Sequence, residues 1–219
     1  MKDVIICGTG PHAREMAEIV EQVNRVTSTW NLLGFALPEA VAGRPVEALN
    51  GYPVLNAQTV LQTHPDARFA PAYGSDVSGL PPDRMVSLIA PTAFVSRTAR
   101  IGPGCVIYPN CFVGLHAVLG RRVFMLGGSV INHDCRLADH VTVCSGVTLA
   151  GFVHVEAGGY LGQACTIRPN LRIGRGSLIG LGSVVVADVA PNTVVAGNPA
   201  RKLRDTNPSD PSCQNAARQ

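Results

Sequence analysis

An aliphatic residue recurs at every sixth position through the second half of the chain. The series begins at Ile89 and reaches Val185 without a miss or an insertion. The residue four places after each of these is small or β-branched, with Leu171 as the larger exception. Neither a helix, with a period of about 3.6, nor a strand, with a period of two, presents residues at this spacing. Each six-residue unit is therefore predicted to form a short strand and a bend, with one large and one small residue facing inward.

Three such units make a closed, triangular coil of eighteen residues, which predicts a hexapeptide parallel β-helix of five to six coils. Residues eighteen apart then stack on neighbouring coils, about 4.8 Å from each other. Glycine follows the aliphatic residue in several units, and we expect it to lie where the backbone turns. These glycines are at 102, 114, 120, 162, 174 and 180.

The first part of the chain has a different pattern. An apolar run at 2–7 predicts a strand, and a helical face follows with Ala13, Met16, Ala17, Val20 and Val23. Further strands are predicted at 31–37, 52–55 and 68–73, with a helix at 57–62. The result is a small β/α unit, Rossmann-like in its first strand-to-helix turn, where Gly8 and Gly10 form a glycine loop. Free N–H groups at such a helix start favour a phosphate, although the glycines would serve equally to make a tight turn.

The patterns divide the chain into four segments. We expect a small β/α domain at 1–86, a β-helix at 87–190, a C-terminal cap at 191–204 and a disordered tail at 205–219. The tail is rich in Asn, Pro, Ser, Gln and Ala.

Composition narrows the possible functions. The chain of 219 residues is 46% hydrophobic but only 5% aromatic and 15% charged, as expected if aliphatic and small residues fill a repetitive core. The net charge of +3 comes without a run of like charges, which argues against nucleic-acid binding. No apolar run approaches the roughly 18 residues that span a bilayer, so we expect no membrane insertion. The N-terminal apolar run is too short for a signal peptide, and a cytoplasmic location is expected.

The seven cysteines include no CxxC pair, so we expect reduced thiols and no metal site. Cys105, Cys111, Cys135 and Cys165 fall in the small inward position of the repeat, where a cysteine acts as a small hydrophobe. Cys213 lies in the tail and is expected to be exposed.

His133 is the strongest candidate for chemistry. It falls two residues after a repeat aliphatic, which places it outward or at a corner, and Asp134 follows it. A neighbouring carboxylate can fix the tautomer of an imidazole and make it more basic, as a general base requires. Eighteen residues later comes Gly151, so we expect a backbone N–H and open space beside the imidazole. A surface histidine with a chance glycine neighbour is the alternative.

Several segments, in this order and spacing, resemble the sialic-acid O-acetyltransferase and sugar-nucleotide N-acetyltransferase family of left-handed β-helix enzymes. The matching segments are 8–15, 34–35, 51–55, 88–96, 133–135, 149–151, 161–162, 179–185 and 197–202. The resemblance covers residues 1 to about 204.

The resemblance implies a homotrimer that transfers acetyl from acetyl-CoA, without a metal, to an amino or hydroxyl group of a sugar, which we expect to be nucleotide-linked. It implies His133 as general base and Asp134 as its partner, with the Gly151 N–H near the thioester. The residues implied for acetyl-CoA binding are Thr142, Gly151, Gly180, Arg201 and Lys202. The residues implied for acceptor binding are Gly8, Gly10, Pro11, His12 and Gly74.

Three positions depart from the family pattern. Acidic residues that end the second strand in the family are Leu37 and Pro38 here. A histidine nine residues after the base is Thr142, with His140 nearby, and an Asn seven residues before it is Leu126. These departures leave open a non-nucleotide acceptor and a non-catalytic trimeric scaffold. A nucleotide-dependent oxidoreductase that uses Gly8 and Gly10 is a further alternative, although the acid that would hold a ribose is absent.

Overall fold

A computed structural model describes residues 1–37, 48–207 and 209–210. The first unit holds a five-stranded sheet of order β3-β4-β2-β1-β5, parallel except where β3 meets β4. Its elements are β1 (Lys2–Cys7), α1 (Pro11–Val26), β2 (Trp30–Leu37), β3 (Ala48–Leu49), β4 (Tyr52–Asn56), α2 (Ala57–Thr63) and β5 (Arg68–Pro71). A single 3-10 turn, Pro82–Arg84, leads into the second unit.

The hydrophobic pattern accounts for these elements. Val4 and Ile6 face α1, where Met16, Ala17 and Val20 are buried against them. Ile5 and Cys7 alternate to the other side of β1 and pack with Phe69 and Val60. Asn56 begins α2 by accepting hydrogen bonds from the backbone N–H groups of Gln58 and Thr59.

The second unit is the parallel β-helix that the six-residue period predicts. Each strand from β9 to β19 pairs with the strands eighteen residues before and after it, and the strands at the ends of the β-helix pair at this spacing on one side. The strands are β6 (Leu88–Ile89), β7 (Phe94–Val95), β8 (Arg100–Ile101), β9 (Val106–Ile107), β10 (Phe112–Val113), β11 (Val118–Leu119), β12 (Phe124–Met125), β13 (Val130–Ile131), β14 (Arg136–Leu137), β15 (Thr142–Val143), β16 (Thr148–Leu149), β17 (His154–Val155), β18 (Tyr160–Leu161), β19 (Thr166–Ile167), β20 (Arg172–Ile173), β21 (Leu178–Ile179) and β22 (Val184–Val185).

These strands form three faces. The docked face contains β6, β9, β12, β15, β18 and β21, and two further strands, β23 (Thr193–Gly197) and β24 (Ala200–Asp205), extend it. The second face runs from β7 to β22, and the third from β8 to β20. The second residue of each strand points inward, as do the small residues of the repeat. Ile131, Val143 and Leu149 are 0% exposed, for example.

Glycine has two roles in the repeat, and the sequence-based interpretation was wrong about one of them. Glycines directly after the aliphatic residue lie where the next coil passes very close. A Cβ on Gly102 would be 2.5 Å from the Gly120 carbonyl oxygen, and one on Gly162 would be 2.6 Å from that of Ile179. The left-handed bend comes two residues later, as at Gly104 with φ +72°.

The first unit covers the docked face. The His12 ring, on α1, lies 5.2 Å from the ring of Phe124, and Tyr73, just after β5, lies 5.3 Å from it. Tyr108, which follows β9, donates a hydrogen bond of 2.9 Å to the Glu15 carboxylate. The two units therefore pack through a shared aromatic core. The Rossmann-like character of the first unit and the left-handed winding of the second stay predictions from the resemblance.

The six cysteines of the described residues are all buried and none forms a disulfide. Among the described residues, no helix has both the length and the apolar character needed to cross a bilayer. Asp205 ends β24, and Arg204 binds Asp210 through two hydrogen bonds of 2.8 Å, so this part of the expected tail makes defined contacts. Pro38, residue 208 and residues 211–219, including Cys213, lie outside the described residues.

Candidate functional site

His133 and Asp134 lie at one corner of the β-helix, in the turn between β13 and β14. The His133 Nδ1 is 2.9 Å from an Asp134 carboxylate oxygen. Asp134 has φ +60°, and its N–H donates to the Leu115 carbonyl of the preceding coil. Asn132 fixes the same turn by donating to the Leu149 carbonyl at 2.7 Å. The turn therefore holds an exposed imidazole whose Nδ1 is paired with a carboxylate, which leaves Nε2 as the ring nitrogen that can accept a proton.

Gly151 lies directly under the imidazole, as the eighteen-residue stacking predicts. A Cβ at Gly151 would be 2.6 Å from His133 Cε1 and 2.8 Å from Nε2, so only glycine lets the ring lie here. The expected open space is instead filled by the ring itself, and Gly151 is buried. Within the described part of the chain, the Gly151 N–H has no hydrogen-bond acceptor. Phe152 packs edge-on against the ring, with centroids 5.2 Å apart.

Cys135, next in the chain, is not a competing nucleophile. Burial raises the pKa of its thiol to about 11, so it is protonated at neutral pH. Its Sγ donates to the Ala150 carbonyl at 3.1 Å. The cysteine therefore fills the inward position, as predicted.

The glycine loop lies at the other candidate site, at the carboxyl end of β1. Gly8 has φ +109°, and its N–H donates to the Ala36 carbonyl at 2.8 Å. Gly10 is the N-cap of α1 and Pro11 its first residue. A Cβ on Gly10 would meet nothing within 4 Å, so the space in front of the helix is open. This geometry suits a phosphate at the helix N-terminus.

His12 anchors this loop in the aromatic core under it. Its Nδ1 is 3.1 Å from Glu15, which also accepts the Tyr108 hydroxyl. Burial and the Glu15 carboxylate raise the pKa of Tyr108, so it stays a hydrogen-bond donor. The ring of Tyr73 lies 5.8 Å from that of His12.

Three cavities adjoin the loop that follows β5. One is narrow, about 20 Å³, and is lined by Gly74, which has φ +68°, together with Arg122 and His140. A second, of about 150 Å³, lies beside the ends of β1 and β2, where Gln58, Asp76 and Ser78 are its polar groups. The third, of about 260 Å³, is lined by Ser78 and also by Arg122 and His140. Gly8, Gly10, Pro11, His12 and Gly74 therefore lie in one region, on the docked-face side.

The two candidate sites lie on opposite sides of the β-helix. His133 is in a turn between the second and third faces, whereas the first unit covers the docked face. In a triangular coil that corner is opposite the docked face. One chain therefore does not bring its glycine loop to its own His133.

The other residues implied for acetyl-CoA binding are dispersed. Thr142, in β15 of the docked face between Phe124 and Tyr160, is 3% exposed and does not lie with His133. Gly180 follows β21, and a Cβ there would be 2.8 Å from that of Ala196. Arg201 and Lys202 are exposed on β24, where Lys202 Nζ is 2.6 Å from Asp205.

Sequence reasoning missed Phe152 at the first site and the cluster around His12 at the second. The i, i+3 spacing of His12 and Glu15 was a signal for one pair. The contacts of Tyr108 and Phe124 follow from which face is covered, and the repeat alone does not specify that face.

Comparisons with known proteins agree with the motif resemblance. No family model matches the chain. GDP-perosamine N-acetyltransferase of Escherichia coli O157:H7 is 29% identical over 217 residues, which cover 91% of this chain and 95% of that protein. The acetyltransferase domain of PglB from Neisseria gonorrhoeae FA1090 is 26% identical, with a TM-score of 0.79 over 93% of this chain and all of that one. Its structure is also known in complex with acetyl coenzyme A.

A mutant of GDP-perosamine N-acetyltransferase from Caulobacter crescentus, in complex with CoA and GDP-perosamine, shares the fold. Its TM-score is 0.82 at 24% identity, over 94% of this chain and 98% of that one. The comparisons confirm the resemblance inferred from the motifs: the chain is an acyltransferase, similar over nearly its whole length to sugar acetyltransferases with hexapeptide repeats.

Proposed function

We propose that this protein transfers the acetyl group of acetyl-CoA to an amino group of a nucleotide-linked sugar, with His133 as general base. The observation that carries the proposal is the arrangement at the His133 corner. There, a carboxylate binds Nδ1, a glycine admits the ring, and Nε2 is left to accept a proton. Full-length similarity to a sugar-nucleotide N-acetyltransferase supports the acceptor class.

The chemistry needs one proton transfer from the acceptor. As the acceptor nitrogen bonds to the acetyl carbonyl carbon, His133 Nε2 takes a proton from it, and the C–S bond breaks to release the CoA thiolate. Asp134 holds the imidazole in the tautomer that can accept, and balances its positive charge. The Gly151 N–H, which has no acceptor within the described residues, is the proposed donor to the carbonyl oxygen.

The acceptor is proposed to bind at the glycine loop. Its phosphate would lie at the open N-terminus of α1, and its base in the cavity lined by Gln58, Asp76 and Ser78. Those polar groups would replace the acidic residues that the family places near Leu37. Arg201 offers an exposed cation for the phosphates of acetyl-CoA, whereas Lys202 is paired with Asp205 in the single chain.

The site is proposed to be complete only in a homotrimer. The acceptor region and His133 lie on opposite sides of one β-helix, so a second copy must bring them together. Large apolar side chains are exposed near His133: Leu115 at 56%, Phe152 at 54% and, on the second face, Phe94 at 56%. The Phe94 ring stacks on Phe112 at 4.9 Å. Such a patch is typical of a surface that a second subunit covers.

A transfer assay tests the proposal. The purified protein is mixed with acetyl-CoA and a panel of GDP- and UDP-linked 4-amino sugars, free amino sugars and matched hydroxyl sugars, and products are detected by mass spectrometry. We expect an acetylated product from a nucleotide-linked amino sugar. Product from free sugars alone would move the acceptor outside the nucleotide class. Absence of saturable acetyl-CoA binding would instead favour a scaffold.

A further inference from the structure

Three residues, each eighteen apart, stack at the corner that leads from the third face into the docked face. They are Gly104, Arg122 and His140, with φ of +72°, +54° and +61°. A residue other than glycine in this conformation costs roughly 1–2 kcal/mol. Arg122 and His140 therefore adopt a left-handed backbone conformation that side chains other than glycine disfavour. They lie on the side of the β-helix that meets the loop after β5.

The Arg122 guanidinium is partly buried with few partners. Its stem lies on Gly104, where a Cβ would be 3.1 Å from Arg122 Cγ. Its Nη2 donates to the Ser75 carbonyl at 2.9 Å. A guanidinium carries five N–H donors, so this bond uses one of five. Burial lowers the pKa of Arg122, which means that its surroundings do not fully compensate its charge.

The neighbouring charges leave Arg122 as the available cation of this corner. Arg121 is bound by Asp139, with its Nε and Nη2 at 2.9 and 2.7 Å from one carboxylate oxygen. Asp76 is within electrostatic reach of Arg122 and partly offsets its charge, and its carboxylate also accepts the Ser78 N–H at 2.9 Å. Burial and the charge of Arg122 lower the pKa of His140, so this imidazole is neutral at neutral pH.

The cavity beside Arg122 lies next to the acceptor region. Gly74, Tyr73, Phe124 and His140 line it together with Arg122. Tyr73 and Phe124 also touch His12, next to the glycine loop. One layer of aromatic side chains, Tyr73 and Phe124, therefore lies between an acceptor held at the glycine loop and the Arg122 guanidinium.

We propose that Arg122, with His140 beside it, binds an anionic group of the acceptor, a phosphate or a carboxylate, in the cavity next to Gly74. Arginine suits this task because its planar fork binds two oxygens of such a group at once. The inference rests on the proposed function, because the acceptor is the ligand. The anion comes either from a nucleoside diphosphate or from a sugar acid.

Calorimetric binding without acetyl-CoA tests the inference and separates the two sources. GDP, UDP and glucuronate are titrated into the wild type, Arg122→Met and Arg122→Lys, with Arg25→Met, on the exposed end of α1, as a matched control. We expect Arg122→Met to weaken binding of the anion at least tenfold, Arg122→Lys to weaken it less, and Arg25→Met to leave it unchanged. Binding of GDP or UDP assigns the site to a diphosphate, and binding of glucuronate alone assigns it to a sugar carboxylate.

Arg122 also holds the loop after β5 through its hydrogen bond to the Ser75 carbonyl. A neutral ligand distinguishes this structural role from binding of an anion. Guanosine binding is followed by saturation-transfer NMR in the wild type and Arg122→Met, with the fold checked by circular dichroism. Charge recognition predicts that guanosine binding is unchanged. An equal loss of guanosine and GDP, or GDP binding that does not depend on Arg122, overturns the inference.

Failure of the inference and of the proposed function are separable. A wild type that acetylates a sugar but binds none of the three anions contradicts the anion site alone. Anion binding that depends on Arg122, in a protein that binds no acetyl-CoA, contradicts the proposed function and supports the anion site.

Discussion

At the residue scale, the imidazole of His133 is the group on which the proposed chemistry depends. His133→Ala removes the base, and general-base catalysis is worth roughly 10²- to 10⁴-fold in rate. We expect kcat to fall within that range, with the oligomer intact by light scattering, because the side chain is exposed. An amine acceptor can attack without a base, so its loss should be smaller than that of a hydroxyl acceptor. An unchanged kcat for both would rule out this role.

Asp134 offers a more conservative test of the same pair. Asn tolerates the φ of +60° at this position, so Asp134→Asn should leave the fold intact. Its amide can donate to Nδ1 and favour the wrong tautomer. We expect kcat to fall at least tenfold with little change in the KM for acetyl-CoA. Wild-type kcat in this variant would show that the carboxylate does not orient His133.

Gly151 tests how the ring is positioned. An alanine Cβ would lie 2.6 Å from His133 Cε1, so Gly151→Ala must push the ring away while keeping the backbone N–H. We expect kcat to fall at least tenfold, because small displacements of a reacting group are costly. The matched control is the double variant with His133→Ala. If Gly151 acts through the ring, the second change costs nothing further, and an additive loss would contradict this.

At the scale of the elements, the six-residue repeat should carry most of the stability. Leu149, in β16, is 0% exposed, and Leu149→Ala should lower the free energy of unfolding by about 2–5 kcal/mol. Leu181→Ala is the control, since that side chain is 77% exposed and should change stability by less than about 0.5 kcal/mol. Denaturant unfolding at one protein concentration measures both. Equal losses would show that the repeat position does not define the core.

The sequence predicts the elements well where the hydrophobic period is strong. The inward position of Ile131 and Leu149, and the placing of Gly151 under His133, follow from a period of six and a coil of eighteen. The short strand β3 was missed, because two residues carry no detectable period. The position of the left-handed bend, as at Gly104, was also missed, because many residue types occupy it here, including Arg122.

What the repeat cannot specify is which face the first unit covers. Phe124 is an outward position of the repeat, and its ring is buried against those of His12 and Tyr73, from α1 and the loop after β5. Thr142 lies on the same face and is 3% exposed, and its expected role in acetyl-CoA binding stays a prediction. Contacts such as the hydrogen bond from Tyr108 to Glu15 join residues far apart in the sequence, and no local sequence pattern predicts them.

At the scale of the whole molecule, the separation of the two candidate regions predicts an obligate oligomer. Light scattering of the wild type should give three times the mass of the 23.0 kDa chain. Replacing the exposed Phe112 by Arg, on the second face, should weaken assembly, whereas Arg25→Met should not. A fully active monomer would contradict a site shared between subunits.

Subunit mixing tests whether each site is built from two subunits. His133→Ala lacks the base, and His12→Ala lacks a residue of the acceptor region, so each alone should be nearly inactive. When equal amounts are unfolded and refolded together, random assembly pairs an intact glycine loop with an intact His133 of a neighbour in about a quarter of the sites. If each site is shared between subunits, the mixture should recover about a quarter of the wild-type acetyl transfer. A mixture no more active than its two components would contradict it.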